Sequence, residues 1–399
     1  MKLNRLFVVF ALQLMLAGIL RADSESLASI FTNAPKTRTA IPIRSSIIFI
    51  ACHGLAYGDL SCYGQTNFQT PNLDRLAAEG MRFTNYRTTG DDLLSGQAAL
   101  MTGNNSPVAH GQTMVADRLL AAGYHTGLIG EWTLGSQPWT QGFEEFAGFL
   151  NEQEADNFYS DFIWRYAPRS VIDETNGTLR TWQGREEIYQ NTGTNKTRYI
   201  PDVLMVAAEN YVRIHQPDYA NHFKPFFLLL NLPLPHSIVR GKDEYQVPTD
   251  APFTGENWPQ AAKNRAALVT RLDDKIGHLM EQLSKLGMTN NVAIFLGGVV
   301  APEPFASTNM TFLKLKGEVR GGSSPEHLRV PMIVHWPNHV PAGRVSETPW
   351  SAPDFAPTAL DIAYAKPVAS FTGMSVFPLL SGVSQTNAPD APSKSHTQF

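Results

Sequence analysis

The stretch Ile47–Gln65, IIFIACHGLAYGDLSCYGQ, decides the fold. Its first part is a run of β-branched and aromatic residues that stops at Gly54. Such an unbroken apolar run reads as a strand buried on both faces, the kind that a parallel sheet contains. TPNLDRLAAEG follows at residues 70–80, with Thr70 as N-cap, Pro71 at the first helical position and Gly80 closing the helix. MRFTNYR (81–87) reads as one short strand and SGQAALMTG (95–103) opens a helix. TMVADRLLAAGYHTGLIGEW (113–132) reads as helix, stop at Gly123, and strand. This β–α–β rhythm predicts a parallel sheet covered on both faces.

The same rhythm returns later in the chain. KPFFLLLNLPLPH (224–236) is a strand ending in a Pro-rich turn, and NRAALVTRLDDKIGHLMEQLSKLG (264–287) is a long amphipathic helix closed by Gly287. NNVAIFLGG (290–298) and LRVPMIVHWP (328–337) read as strands, and DFAPTALDIA (354–363) as a last helix. Between about 150 and 220 the pattern is less periodic and reads as insertions on the loop face of the sheet. Tyr159, Trp164, Tyr166 and Trp182 in that region suggest a carbohydrate-stacking surface, with ordinary core and loop aromatics as the plainer reading.

Composition narrows the class. The chain has 399 residues, 43% of them hydrophobic, with a formal net charge of −4. No Lys/Arg-rich block is present, which argues against a nucleic-acid partner. Lys2 and Arg5 precede an apolar run from Leu6 to Leu20, shorter than the ~20 residues that a membrane helix needs. Residues 1–22 therefore read as a secretory signal peptide and 23–44 as a linker. Residues 45–383 read as one α/β domain and 384–399 as a disordered tail. Export to the periplasm or outside the cell follows, with no integral membrane segment after cleavage; an uncleaved anchor helix is the alternative. Cys52 and Cys62 lie close enough in sequence for a disulfide, and two separate thiols are the alternative.

Taken together, IIFIACHGLAYGDLSCYGQ, TPNLDRLAAEGMRFTNYR, AALMTG, AAGYHTGLIGEWTLG, PFFLLLNLPLPH, RLDDKIGHLMEQLSKLG, LRVPMIVHWP, APDFAPTALDIA and GMSVFPLLSG resemble, in order, the sulfatase family of the alkaline-phosphatase-like superfamily. The resemblance implies an α/β fold with a large mixed, mostly parallel sheet sandwiched by helices, and a site at the C-terminal strand ends. Either the C-terminal subdomain is much reduced, or the sheet edge that it would cover is left to an oligomer or a partner.

The family's chemistry uses a formylglycine made from Cys or Ser in a C/S-x-P-x-R motif. It also uses a calcium ion on Asp and Asn ligands, and Lys and His groups around the sulfate. Carried onto this chain, the first Asp pair falls on His53 and Gly54, the nucleophile on Leu93 and the motif arginine on Gln97. The Lys and His of the next motif fall on Glu131 and Thr133, and the Asp-Asn pair on Gly298 and Val299. A late lysine falls near Arg320. His236 alone stands as the family has it.

Leucine has no lone pair with which to attack sulfur. Gly54, Gly298 and Val299 offer no side-chain oxygen to a cation that wants six to eight of them. The expectation is therefore no metal, no other cofactor, and Leu93 and Leu94 packed into the vacated space. Glu131 as a carboxylate is expected to repel sulfate.

Three readings stay open. One is a sulfatase-like protein without turnover that binds a glycan or a protein. The second is a hydrolase of sulfate or phosphate esters with a rebuilt site drawn from Cys52, His53, Asp91, Asp92, Glu131, His236 and Glu303, in which His53, Asp91 and His236 hold a transition metal. The third is a conventional sulfatase, in which a different loop register restores the nucleophile and the metal ligands.

Overall fold

The computed structural model describes residues 44–105, 108, 111–155, 158–172, 179–191, 196–236, 245–302 and 325–382. The signal-peptide, linker and tail readings, Glu303, Arg320 and the Trp182 side chain lie outside the described residues.

Strand β1 (Ser46–Cys52) is the apolar run at the head of the opening stretch, and every one of its residues is buried. It runs parallel to β8 (Phe226–Leu232) on one side and to β9 (Val292–Gly298) on the other. Beyond β8 lie β4 (His125–Glu131) and β5 (Glu145–Phe149), both parallel. Strands β6 (Phe162–Ile172) and β7 (Leu179–Tyr189) extend that side as an antiparallel hairpin. On the far side of β9, β10 (Met332–His335) is antiparallel, followed by β2 (Met81–Phe83) and β11 (Arg344–Ser346). The ten-stranded order is β11-β2-β10-β9-β1-β8-β4-β5-β6-β7. A separate two-stranded ribbon pairs β3 (Tyr86–Arg87) with β12 (Trp350–Ser351). The expected mixed, mostly parallel sheet is thus present, with its central strands all parallel.

Strand alternation divides the core into two layers. Ile48, Ile50 and Cys52 face one layer, shared with helices α1 (Pro71–Glu79), α5 (Ile200–Ile214) and α6 (Gln260–Lys285). Ile47, Phe49 and Ala51 face the other, shared with α2 (Leu93–Thr102), α3 (Val115–Ala121) and α7 (Phe355–Ile362). Helix α1 starts at Pro71 as its sequence predicts. Its first amides are satisfied by the Asp273 carboxylate of α6, which accepts from Asn72 N at 3.2 Å and Leu73 N at 2.8 Å. Thr70 turns its hydroxyl to Ser61 instead.

Two expectations need correction. MRFTNYR forms two strands, β2 and β3, because Thr84 and Asn85 carry the chain from one sheet to the other. The 150–220 region is not merely loop: it supplies the β6–β7 hairpin and the 15-residue helix α5. Its aromatics meet other rings of the protein. Tyr166 stacks on Trp139 with centroids 4.5 Å apart, and Tyr159 lies 5.5 Å from Tyr199. No helix among the described residues is long and apolar enough to cross a membrane.

His335 at the end of β10 provides a pH prediction remote from the strand-end pocket. The ring is 1% exposed, and burial lowers its pKa below 6.5 against the pull of Glu79, 3.6 Å away. Folding favours the neutral ring, so its contribution is complete above the unfolded value and is lost as pH falls below that value and through the lower folded one. Chemical denaturation of wild type and His335→Gln from about pH 7 to about pH 5 is expected to show wild type losing its advantage over the variant. A gap that widens with acid contradicts this.

Candidate functional site

Parallel neighbours end at the same rim, so β1, β8, β4 and β9 deliver their last residues to one place. Cys52 pairs in register with both Leu232 and Gly298, and Gly130 pairs with Asn231. His53 follows β1, Glu131 ends β4, and His236 lies four residues past β8.

The polar half of the rim is built from these residues. The rings of His53 and His236 stack with centroids 3.8 Å apart and planes 10° from parallel. His53 Nδ1 lies 3.3 Å from Glu131 Oε2. Glu152, in the short helix α4 (Glu152–Ala155) after β5, joins them. One ligand atom from each of His53, Glu152 and His236 lies within 4.8 Å of the other two. Beneath them, Gln97 of α2 donates through Nε2 to the Glu131 carbonyl at 2.9 Å. Its Oε1 accepts from Thr133 N at 2.8 Å and lies 3.0 Å from Thr133 Oγ1. Asn231 Nδ2 also donates to the Glu131 carbonyl, at 2.8 Å. Gln97 and Thr133 are thus locked to each other and to the backbone that presents Glu131.

A buried ion pair braces the loops that carry the two histidines. Arg265 of α6 donates to both carboxylate oxygens of Asp59, at 3.1 and 2.6 Å. It also donates to the carbonyls of Gly54 and Pro235, each at 3.1 Å. These carbonyls belong to the residue after His53 and the residue before His236. Gly54 itself takes φ +77°, and a Cβ there would meet His236 Cα at 3.4 Å. A glycine at this turn lets the two histidine loops approach.

The other half of the rim is apolar. Leu93, the first residue of α2, is 1% exposed and shares an apolar cluster with Val299, Val300 and Val330. A Cβ at Gly298 would lie 2.7 Å from Val330 Cβ. Leu94 does not share this packing. It is 51% exposed, because the helix turn that buries Leu93 points the next residue outward.

The electrostatics correct a further expectation. Burial pushes the Glu131 carboxyl from 4.5 up to about 8, with His236 pulling the other way. This upward shift weakens the repulsion of sulfate expected from a full carboxylate charge. Cys52 is buried and its thiol is pushed up to about 12, which removes it as a nucleophile near neutrality. Cys52 and Cys62 are both free thiols.

Asp91 and Asp92 are not part of the cluster. Asp91 Oδ1 lies 2.6 Å from His327 Nε2, and Asp92 caps α2 by accepting from Ser95 N at 2.7 Å. Glu152 stands where Asp91 was expected. Glu152 is hard to find in the sequence because it sits in an acidic run, NEQEAD, that reads as a solvated turn. Its one usable signal is its position directly after a strand. Arg265 is equally hidden, inside a helix whose pattern reports its apolar face.

Comparison with known proteins agrees with this architecture. The sulfatase family model matches residues 45–365. N-acetylgalactosamine-6-sulfatase of Sus scrofa is 24% identical over 405 residues, covering 92% of this chain and 71% of that protein. N-acetylgalactosamine-6-O-sulfatase of Bacteroides thetaiotaomicron is 25% identical over 375 residues, covering 74% and 68%. The crystal structure of Ps i-CgsB in complex with k-i-k-neocarrahexaose superposes with a TM-score of 0.67 at 25% identity, covering 84% of this chain and 76% of that one. With strand order, rim and family model in agreement over most of its length, the chain belongs to the sulfatase family.

Proposed function

We propose that this protein hydrolyses a sulfate or phosphate ester, with a sulfated amino sugar as the first substrate class to test, through a rebuilt imidazole–carboxylate centre rather than through formylglycine and calcium. The observation that carries the reading is the convergence of His53, His236, Glu131 and Glu152 at the strand ends. Two stacked imidazoles beside two carboxylates suit the activation of a water and the movement of a proton. The names of the relatives support a sulfate ester on an amino sugar.

The family's calcium does not fit these residues. Gly54, Gly298 and Val299 supply no side-chain oxygen, and the neighbouring space holds Val330, Val299 and Leu93. A hard cation needs a shell of oxygens that this wall lacks. Leu93 cannot become an aldehyde, so no covalent sulfated intermediate forms on it.

The burial of Leu93 where the resemblance puts a nucleophile favours a second reading, that the pocket binds a sulfated glycan or a protein without turnover. The full chain should be assayed with an aryl sulfate, an aryl phosphate and a 6-O-sulfated N-acetylhexosamine. Turnover that collapses in His53→Ala supports the hydrolase. Saturable binding of the sulfated sugar without turnover supports the second reading. Calcium-dependent turnover that survives His53→Ala overturns both and restores a conventional sulfatase.

A further inference from the structure

We infer that His53, His236 and Glu152 form a site for a divalent transition metal of the zinc class, with Glu131 as the carboxylate that orients His53. The inference deepens the hydrolase reading and rests on it for what the ion would do, but binding itself is measured without substrate.

Three observations point the same way. Two imidazoles and one carboxylate are the donor set that zinc and its neighbours prefer, and one that calcium does not. The ligand atoms lie within 4.8 Å of one another, on loops from three strand ends. Ligands about 2.0–2.2 Å from zinc stand roughly 3.3 Å apart, and each imidazole lone pair lies in its ring plane, so the two rings, stacked 3.8 Å apart and 10° from parallel, must turn out of that stack to meet one ion. His53 Nδ1 faces Glu131 Oε2 at 3.3 Å, the carboxylate–histidine arrangement that fixes a metal ligand's tautomer and leaves Nε2 for the ion.

The surroundings favour binding over a loose polar cluster. Both histidines are buried while Glu152 is half-exposed, which gives the ion a ligand set with one face toward solvent. The Arg265 donations to the carbonyls of Gly54 and Pro235 hold the two histidine loops in place before any ion arrives. Such preorganisation spares the cost of ordering the loops on binding. A three-ligand site keeps a position for water, whose pKa a bound zinc lowers toward neutrality.

The test is metal binding by the full chain after treatment with a chelator. Zinc and cobalt are titrated calorimetrically, cobalt is also followed by its visible absorption, and metal content is measured after dialysis. One zinc per chain is expected, with cobalt developing ligand-field bands. His53→Ala and Glu152→Gln are each expected to weaken binding at least ~100-fold, and Glu131→Gln about 10- to 100-fold.

Glu152 is half-exposed, so its substitution tests the site even should the buried variants fold poorly. No zinc binding at millimolar concentration overturns the inference, as does binding that Glu152→Gln and His53→Ala leave unchanged. Ester turnover that persists in zinc-free protein would overturn the ion's part in the reaction while leaving the hydrolase reading standing. Zinc bound without turnover would do the reverse.

Discussion

Asp59→Ala is expected to destabilise the protein by about 3–5 kcal/mol, measured from the midpoint of urea denaturation at unchanged slope. The Asp59 and Arg265 side chains are 1% and 3% exposed, and they face each other at 2.6 Å. Removing the carboxylate leaves a guanidinium buried among carbonyls with its countercharge gone. It also removes the acceptor for Ala56 N, which Asp59 Oδ2 holds at 2.7 Å. The loss reaches the pocket, because the same guanidinium grips Gly54 and Pro235. Asp59→Asn keeps the shape and one acceptor oxygen, and should recover part of the loss. A cost below about 1 kcal/mol, the value of an exposed pair, would show that this ion pair does not brace the loops.

The second large effect concerns activity. His53→Ala is expected to lower turnover of the ester at least ~100-fold, within the range that general acid–base groups contribute. Leu93→Met, a volume-conserving change in a packed wall, should leave the rate within about threefold and cost under about 1.5 kcal/mol of stability. The pair of variants separates the two halves of the rim. A conventional family mechanism would be blind to position 53 as an imidazole. The rebuilt centre is blind to which apolar side chain fills position 93. Steady-state kinetics on both proteins decides between them, and a large loss confined to Leu93→Met contradicts the rebuilt centre.

Much of the architecture is legible in the sequence because it rests on local signals. The apolar run 47–52, Pro71 at the helix start and Gly80 after it specify β1 and α1 from their own residues. The collinear order of such pieces then carries the family resemblance, since turn glycines and apolar strands persist when the chemistry changes. The hairpin β6–β7 is not legible. It lies at the edge of the sheet, and charged residues such as Arg165, Glu186 and Glu187 among its apolar ones leave only a weak apolar pattern.

The site is half legible. His53, Glu131 and His236 stand at strand ends that the sequence locates, so their convergence follows from the sheet. Glu152 and Arg265 join them through tertiary packing, Arg265 from a helix whose visible signal is its apolar stripe. Asp91 is misassigned by sequence reasoning because its number places it near the loop, whereas the fold turns it toward His327. The upward shift of the Glu131 carboxyl is illegible for the same reason, since its burial is a property of the folded rim and not of the segment that carries it.

Whether oxygen-ligand chemistry persists at the rim is decided by one titration. Chelator-treated full chain is assayed for aryl sulfate hydrolysis while calcium is raised from nil to millimolar. With Gly298 and Val299 packed against Val330, the rate is predicted not to respond to calcium at any concentration. A saturable rise with calcium would show that a hard-cation site forms there after all, and would contradict the claim that this member of the family has exchanged its centre.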